Sequence, residues 1–370
     1  MQISEVTTLT AQVLWAGFVL SAIFGAIAQR THFCTMGAVS DVVNMGDWTR
    51  MRQWGLAIGV AMVGFAGLAY WGKVDASKTL YASTRVLWLS GLVGGSLFGF
   101  GMVLASGCGS KTLVRIGGGS LKSLVVFVVL GIASFATLKG ITAVLRVASV
   151  DKVAIDMASG AQLPQLFGTL QGSPGVAAAV LGLLLGGALM IWALAGKGFA
   201  GFDNLLAGVG IGLTVVAAWW VSGSFGYVAE HPETLQEAFL ATNSGRAEAL
   251  TFVAPIAYSL DWIMFFSDKS KTMTLGVVSV AGVVAGSAAT AVFSKTFRWE
   301  GFGGTEDLAN HLVGATLMGV GGVTALGCTV GQGLSGISTL SITSFFAVGG
   351  IILGAVLAFK YQIARVERIS

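Results

Sequence analysis

The sequence predicts an all-α polytopic membrane protein. Three observations carry that reading. Of its 370 residues 55% are hydrophobic, only 10% are charged, and the apolar residues gather into runs long enough to cross a bilayer. Soluble domains carry about 25% charged residues. The 54 glycines against four prolines further favour closely packed membrane helices.

Nine apolar segments, near 11–29, 52–72, 86–106, 121–142, 174–195, 205–223, 274–294, 309–327 and 338–359, can each cover about 30 Å of hydrocarbon. Residues 1–10 hold no Lys or Arg, and the first apolar run outlasts a secretory signal, so 11–29 reads as an uncleaved span. Four further segments, 31–46, 107–118, 249–266 and 328–337, are too interrupted or too short to cross. They are predicted as re-entrant loops or half-helices, whose irregular backbone must be satisfied by protein or a wet cavity. The connections 143–173 and 224–248 are the longest polar stretches and read as extramembrane loops. The whole chain is one integral membrane domain.

Two stretches repeat at an offset of 220 residues. Met102-Val-Leu-Ala-Ser-Gly-Cys108-Gly matches Gly322-Val-Thr-Ala-Leu-Gly-Cys328-Thr. Upstream, Leu92-Val93-Gly94, Gly99 and Gly101 fall on Leu312-Val313-Gly314, Gly319 and Gly321. Thr31 falls on Thr251 and Asp41 on Asp261, whereas Cys34 falls on Ala254. The expected organisation is therefore one repeat over about 11–142, a linking span at about 174–195, and a second repeat over about 205–359. Equivalent positions lie an odd number of crossings apart, which makes the repeats inverted. Broken helices meeting near the midplane are a transporter signature. A spanning 249–266 would instead make the halves parallel. With the N-terminus outside, twelve of the 21 Lys and Arg fall inside, a small positive-inside excess.

The chemistry concentrates at the breaks. In Gly107-Cys108-Gly109-Ser110-Lys111-Thr112 the glycines allow a sharp turn and close approach to a ligand. A half-helix starting here points free N–H groups and its positive dipole end into the membrane, where they attract anions. Gly327-Cys328-Thr329-Val330-Gly331-Gln332-Gly333 repeats the recipe, with Thr329 and Gln332 as donors and no lysine. Either break could also be a plain helix–helix contact. Cys34, in Arg30-Thr-His-Phe-Cys-Thr-Met-Gly37, could equally be a packed residue, and His32, His231 and His311 read as structural or solvated. An anion entering the bilayer must replace lost water. A neutral thiol offers a weak donor on a polarizable atom, suited to a soft sulfur terminus, whereas a thiolate would repel the anion.

At these residues the chain resembles the YeeE/YedE family of bacterial thiosulfate transporters. The matching motifs are Arg30-Thr-His-Phe-Cys-Thr-Met-Gly-Ala38, Ala105-Ser-Gly-Cys-Gly109 and Leu326-Gly-Cys-Thr-Val-Gly-Gln-Gly333. The resemblance implies nine spans with short inserted helices in an hourglass-like molecule, and thiosulfate uptake across the cytoplasmic (inner) membrane, with Cys34, Cys108 and Cys328 hydrogen-bonding the substrate along a central path. Supporting roles fall to Gly107, Gly109, Ser110, Lys111, Gly327, Thr329 and Gln332. It also implies a cytoplasmic sulfur carrier of the TusA-like type as partner. Another sulfur- or selenium-containing anion, a membrane sulfurtransferase with a persulfide intermediate and His32 as base, and a soft-metal transporter are the alternatives. No cofactor, metal or nucleic acid is called for, and no ATP-binding P-loop occurs. Asp41 and Asp261 are candidate coupling acids or helix caps.

Overall fold

The computed structural model describes residues 3–158, 160–166, 174–268 and 270–369. In the first half α1 (Ile3–Arg30) leads to a short α2 (Thr35–Ser40), then α3 (Thr49–Tyr70), α4 (Trp88–Leu104), α5 (Gly109–Gly117), α6 (Leu121–Lys139) and α7 (Ile141–Ala148). The linking helix α8 is Pro174–Leu194. The second half holds α9 (Phe202–Phe225), α10 (Val253–Met264), α11 (Leu275–Phe293), α12 (Thr305–Thr324), α13 (329–338) and α14 (Ile342–Ile369). Two minimal antiparallel pairings, β1 (Arg85–Val86) with β2 (Ile155–Asp156) and β3 (Tyr227–Val228) with β4 (Ala238–Phe239), tie the loops.

Each of the nine expected spans is a helix. Eight are apolar and long enough to cross a membrane among the described residues. The ninth, α12, has 20 residues but opens on Thr305-Glu-Asp, which lowers its hydropathy. Its polar end is matched by Arg365 on Glu306 at 2.9 Å and His311 on Asp307 at 2.9 Å. The 12 residues of α10 rise only about 18 Å, too little to cross, so 249–266 does not add a span. Helix α1 begins earlier than its apolar run because Thr7, Thr8 and Thr10 return their hydroxyls to carbonyls one turn back. The connection 143–173, of which 159 and 167–173 lie outside the described residues, contains most of α7. That helix leaves Ile141, Val144, Leu145 and Val147 between 53% and 78% exposed, the pattern of a helix lying in the membrane interface.

Glycines set the packing, and the pairing is reciprocal between the two halves. Helix α4 packs on α14, and α12 packs on α6; α1 packs on α11, and α9 packs on α3. Helices α4 and α12 cross antiparallel. A methyl built on Gly94 would lie 2.5 Å from the Ala325 nitrogen and 2.8 Å from the Gly321 oxygen. A methyl on Gly314 would lie 2.6 Å from both the Ala105 nitrogen and the Gly101 oxygen. Contacts of Gly17 with Leu275 and Gly25 with Val283 show that α1 and α11 run parallel. One face of the bundle therefore carries the start of α1, the connections 71–87 and 226–252, and the start of α11; we call it the long-loop face. The opposite, short-loop face carries the start of α3 and the turn where Ser120 bridges to Glu300.

Neither repeat-related acid caps a helix with its side chain, although Asp41 stands at the C-terminal end of α2. Asp41 is 2% exposed and takes both Nε and Nη2 of Arg50, the latter at 2.6 Å. Asp261 takes the Lys271 ammonium at 2.6 Å. Each pair ties a short helix to the start of the next span, one on each face. Both acids are thus committed to fixed cations. Asp41→Asn should lower stability by roughly 1–3 kcal/mol, because Arg50 loses its carboxylate in a half-buried site. Thermal unfolding of the detergent-solubilised variant checks this, and an unchanged midpoint would show that the pair is not a clamp.

Candidate functional site

The two Gly-Cys breaks have one architecture. Helix α4 ends with Ala105 N–H on Gly101, Ser106 N–H on Val103, and Gly107 N–H on Met102 at 2.8 Å. Helix α12 ends with Ala325 N–H on Gly321, Leu326 N–H on Val323, and Gly327 N–H on Gly322 at 2.8 Å. This is a Schellman ending in both halves. It places Ser106 (φ 56°) and Leu326 (φ 60°) in the left-handed region usually left to glycine. The sequence offered no sign of this, since the glycine follows the strained residue in each break. Strain of this kind persists only where surrounding packing fixes it.

Each cysteine sits at the start of a short helix. Cys34 precedes α2, and its sulfur accepts the Gly37 N–H at 3.4 Å. Cys328 precedes α13, and its sulfur accepts the Gly331 N–H at the same 3.4 Å. Cys108 precedes α5 without capping it; its sulfur lies 3.3 Å from the Ser110 hydroxyl. All three are buried and free. Cys108 lies within electrostatic range of both other cysteines, and Lys111 within range of Cys34, Cys108, Arg50 and Arg115. Arg50 also covers Gly37, where an added methyl would lie 2.1 Å from its Nη1. The fold thus groups Cys34, Cys108, Ser110 and Lys111 with guanidiniums toward the short-loop face. Cys328, Thr329 and Gln332 lie toward the other.

Glycines keep the breaks open. Gly109 packs against Phe252 and Val253, whereas Gly117 packs against Val284 and Ser287 of α11. Helices α4 and α5 therefore form one broken helix that resumes toward the short-loop face. Gln332 donates to the Ala325 oxygen at 2.7 Å, spanning the second break from within. Thr329 Oγ1 is buried without a partner among the described residues, which leaves a hydroxyl donor beside Cys328. His32 is exposed two residues from Cys34, and among the described residues no hydrogen bond joins its ring to the thiol. That arrangement gives no support to His32 as a base for a persulfide.

A cavity of about 310 Å³ opens on the long-loop face and ends at the second break. Arg85, Arg146, Asn243 and Ser244 line its outer part, with Tyr81, Glu248, Thr251 and Tyr258 also in its wall. Gly327, Gln332 and Ser344 belong to it as well, which brings it to the residue next to Cys328. Tyr81 donates to the Gly331 oxygen at 2.6 Å, and the N–H of that same residue is the one the Cys328 sulfur accepts. Sequence reasoning missed this cavity. Its lining comes from two connections and seven helices, and Glu248 falls in the stretch 224–248 that reads as an extramembrane loop. The only sequence hint was Ala254, which lines the cavity at the position equivalent to Cys34.

A family model described as Sulphur transport matches residues 30–357, most of the chain. Among curated proteins, the chain is similar to the thiosulfate transporter TsuA of Spirochaeta thermophila. The two are 24% identical over 356 residues, which covers 92% of this chain and 97% of that protein. It is also similar to the thiosulfate transporter TsuA of Escherichia coli, at 26% identity over 357 residues, covering 92% of each.

Proposed function

We propose that this chain, which belongs to the Sulphur transport family, takes up thiosulfate across the cytoplasmic membrane along a path of three thiols. It is a multi-pass membrane transporter rather than an enzyme. The observation that carries the finer reading is the placement of Cys108 within range of both Cys34 and Cys328, at breaks built alike in the two halves. Both similar proteins are thiosulfate transporters, which supports thiosulfate as the cargo.

In this reading the halves are inverted repeats, and the cavity on the long-loop face is the outer vestibule. The anion passes its inner end near Gly327 and Gln332, then exchanges weak contacts with Cys328, Cys108 and Cys34. Helix-start N–H groups at α5 and α13 serve its oxygens, and neutral thiols serve its terminal sulfur. Weak repeated contacts allow release, which throughput requires. Lys111 and Arg50 draw the dianion toward the short-loop face, which is cytoplasmic here, where a TusA-like carrier receives it. The N-terminus is then outside and the C-terminus inside.

Uptake of labelled thiosulfate into proteoliposomes that contain only this protein tests the reading, with ion gradients varied to find the driving force. Saturable uptake is expected. Sulfate, which offers only oxygens, should compete at least about tenfold less well, a difference of about 1.4 kcal/mol. Absence of uptake would refute transport, and equal competition would refute sulfur selectivity.

A further inference from the structure

The vestibule holds a carboxyl group that the thiol path does not use. Glu248 is 8% exposed and lines the cavity. Its Oε1 accepts the Asn243 N–H at 2.9 Å, and its Oε2 accepts the Ser244 hydroxyl at 3.4 Å. Its own N–H donates to Ser222 at 3.1 Å, so the backbone around it is fixed. Among the described residues no cation forms a salt bridge with it. The nearby arginines are engaged elsewhere: Arg85 on Asp156 at 3.1 Å, Arg146 on Asp151 at 3.0 Å, and Arg246 on the Ala82 oxygen at 2.7 Å.

Such a group is awkward in the entrance for a dianion. Ionised, Glu248 repels the ion in a poorly solvated space. Neutral, it removes that repulsion and adds an O–H donor where the repeat supplies Ala254 instead of a thiol. The position is also connected to the path. Tyr81, which interacts electrostatically with both Glu248 and Cys328, bonds the carbonyl of Gly331, the residue whose N–H the Cys328 sulfur accepts.

We propose that Glu248 is the proton-binding residue of this vestibule, so that the sulfur anion enters only when the side chain is protonated and the two bind together. This rests on the reading of the cavity as the entrance. Burial pushes the Glu248 carboxyl up to about 7, outweighing the Asn243 and Ser244 hydrogen bonds that lower it. Below that pH the group is neutral and admits the anion; above it the carboxylate excludes it. The charged or titratable groups facing it are Tyr81 from the 71–87 connection, Tyr258 from α10, Arg85 from β1 and Arg146 from α7. Phenols and guanidiniums keep one charge state between pH 6 and 8, and burial raises Tyr81 further still, which leaves Glu248 to titrate there. A bound dianion raises the carboxyl again, so binding takes up a proton.

The test uses proteoliposomes of the full chain and labelled thiosulfate, which stays a dianion throughout this range. At fixed membrane potential the initial rate should fall about tenfold from pH 6 to pH 8, the loss of protonated form for one group with a midpoint near 7. Glu248→Gln mimics the neutral state and keeps an acceptor for Asn243. It should flatten the profile and exceed the wild-type rate at pH 8 by about tenfold. As an independent reading on unaltered protein, adding thiosulfate in weak buffer at pH 7.5 should consume protons. Uptake with a flat wild-type profile, a Gln variant with the wild-type slope, or binding without proton consumption would each overturn the proposal alone. No uptake at any pH would instead overturn the transport reading, and this inference with it.

Discussion

Cys108→Ser should reduce thiosulfate uptake by at least about tenfold while leaving the protein folded and at normal membrane levels. Cys34 and Cys328 cap short helices through their sulfurs, so part of their value is structural. Serine is a strong capping residue, so Cys34→Ser and Cys328→Ser should keep those caps. Cys108 does not cap α5, and among the described residues its side chain meets only the Ser110 hydroxyl in the hydrogen-bonding pattern. A hydroxyl there is smaller, less polarizable and free to bond Ser110 more tightly. It therefore serves the terminal sulfur of thiosulfate poorly at the point where both other thiols are in range. A tenfold loss corresponds to about 1.4 kcal/mol, within what one weak contact made during passage can supply. Uptake assays on all three serine variants, normalised to folded protein, give the measurement. Wild-type rates in Cys108→Ser would refute the thiol relay, because the one thiol without a capping role would then be dispensable.

The repeated breaks were legible because glycine and cysteine recur at one offset, and helix existence was legible because runs of about 20 apolar residues have few other solutions. What escaped reading depends on distant partners. Asp41 and Asp261 were visible as a repeat pair, but their cations, Arg50 and Lys271, sit at unequal offsets of nine and ten residues. The first two residues of α7 read as the end of the α6 span because Gly140 and Ile141 continue an apolar run, and the rest read as loop; the exposed stripe shows a helix that turns out of the bundle. Glu248 is invisible in sequence for a further reason. Its proton affinity is set by burial between loops, and burial is a property of the assembled fold. The left-handed Ser106 and Leu326 owe their conformation to the Schellman hydrogen bonds that end α4 and α12 rather than to their residue type.

The packing of α4 on α12 makes the second large effect predictable. Gly94→Ala and Gly314→Ala should each sharply lower the yield of monodisperse protein and its unfolding temperature, by similar amounts. The added methyl would lie 2.5 Å from the Ala325 nitrogen in one case and 2.6 Å from the Ala105 nitrogen in the other. These neighbours are backbone atoms, so no side chain can rotate away; the two helices must separate. Overpacking of this kind costs about 1–3 kcal/mol. Ala105 and Ala325 are also the residues where α4 and α12 end, so the displaced backbone is that of the breaks. Whatever variant protein folds should consequently lose uptake beyond its loss of stability. Gly349→Ala is the matched control, since nothing lies within 4 Å of a methyl there. Removing backbone freedom from that helical position should leave stability equal or raise it by up to about 1 kcal/mol. A Gly94 variant as stable as the Gly349 variant would mean that the antiparallel glycine crossing does not hold the halves together, and that the cysteine-bearing breaks are positioned by something else.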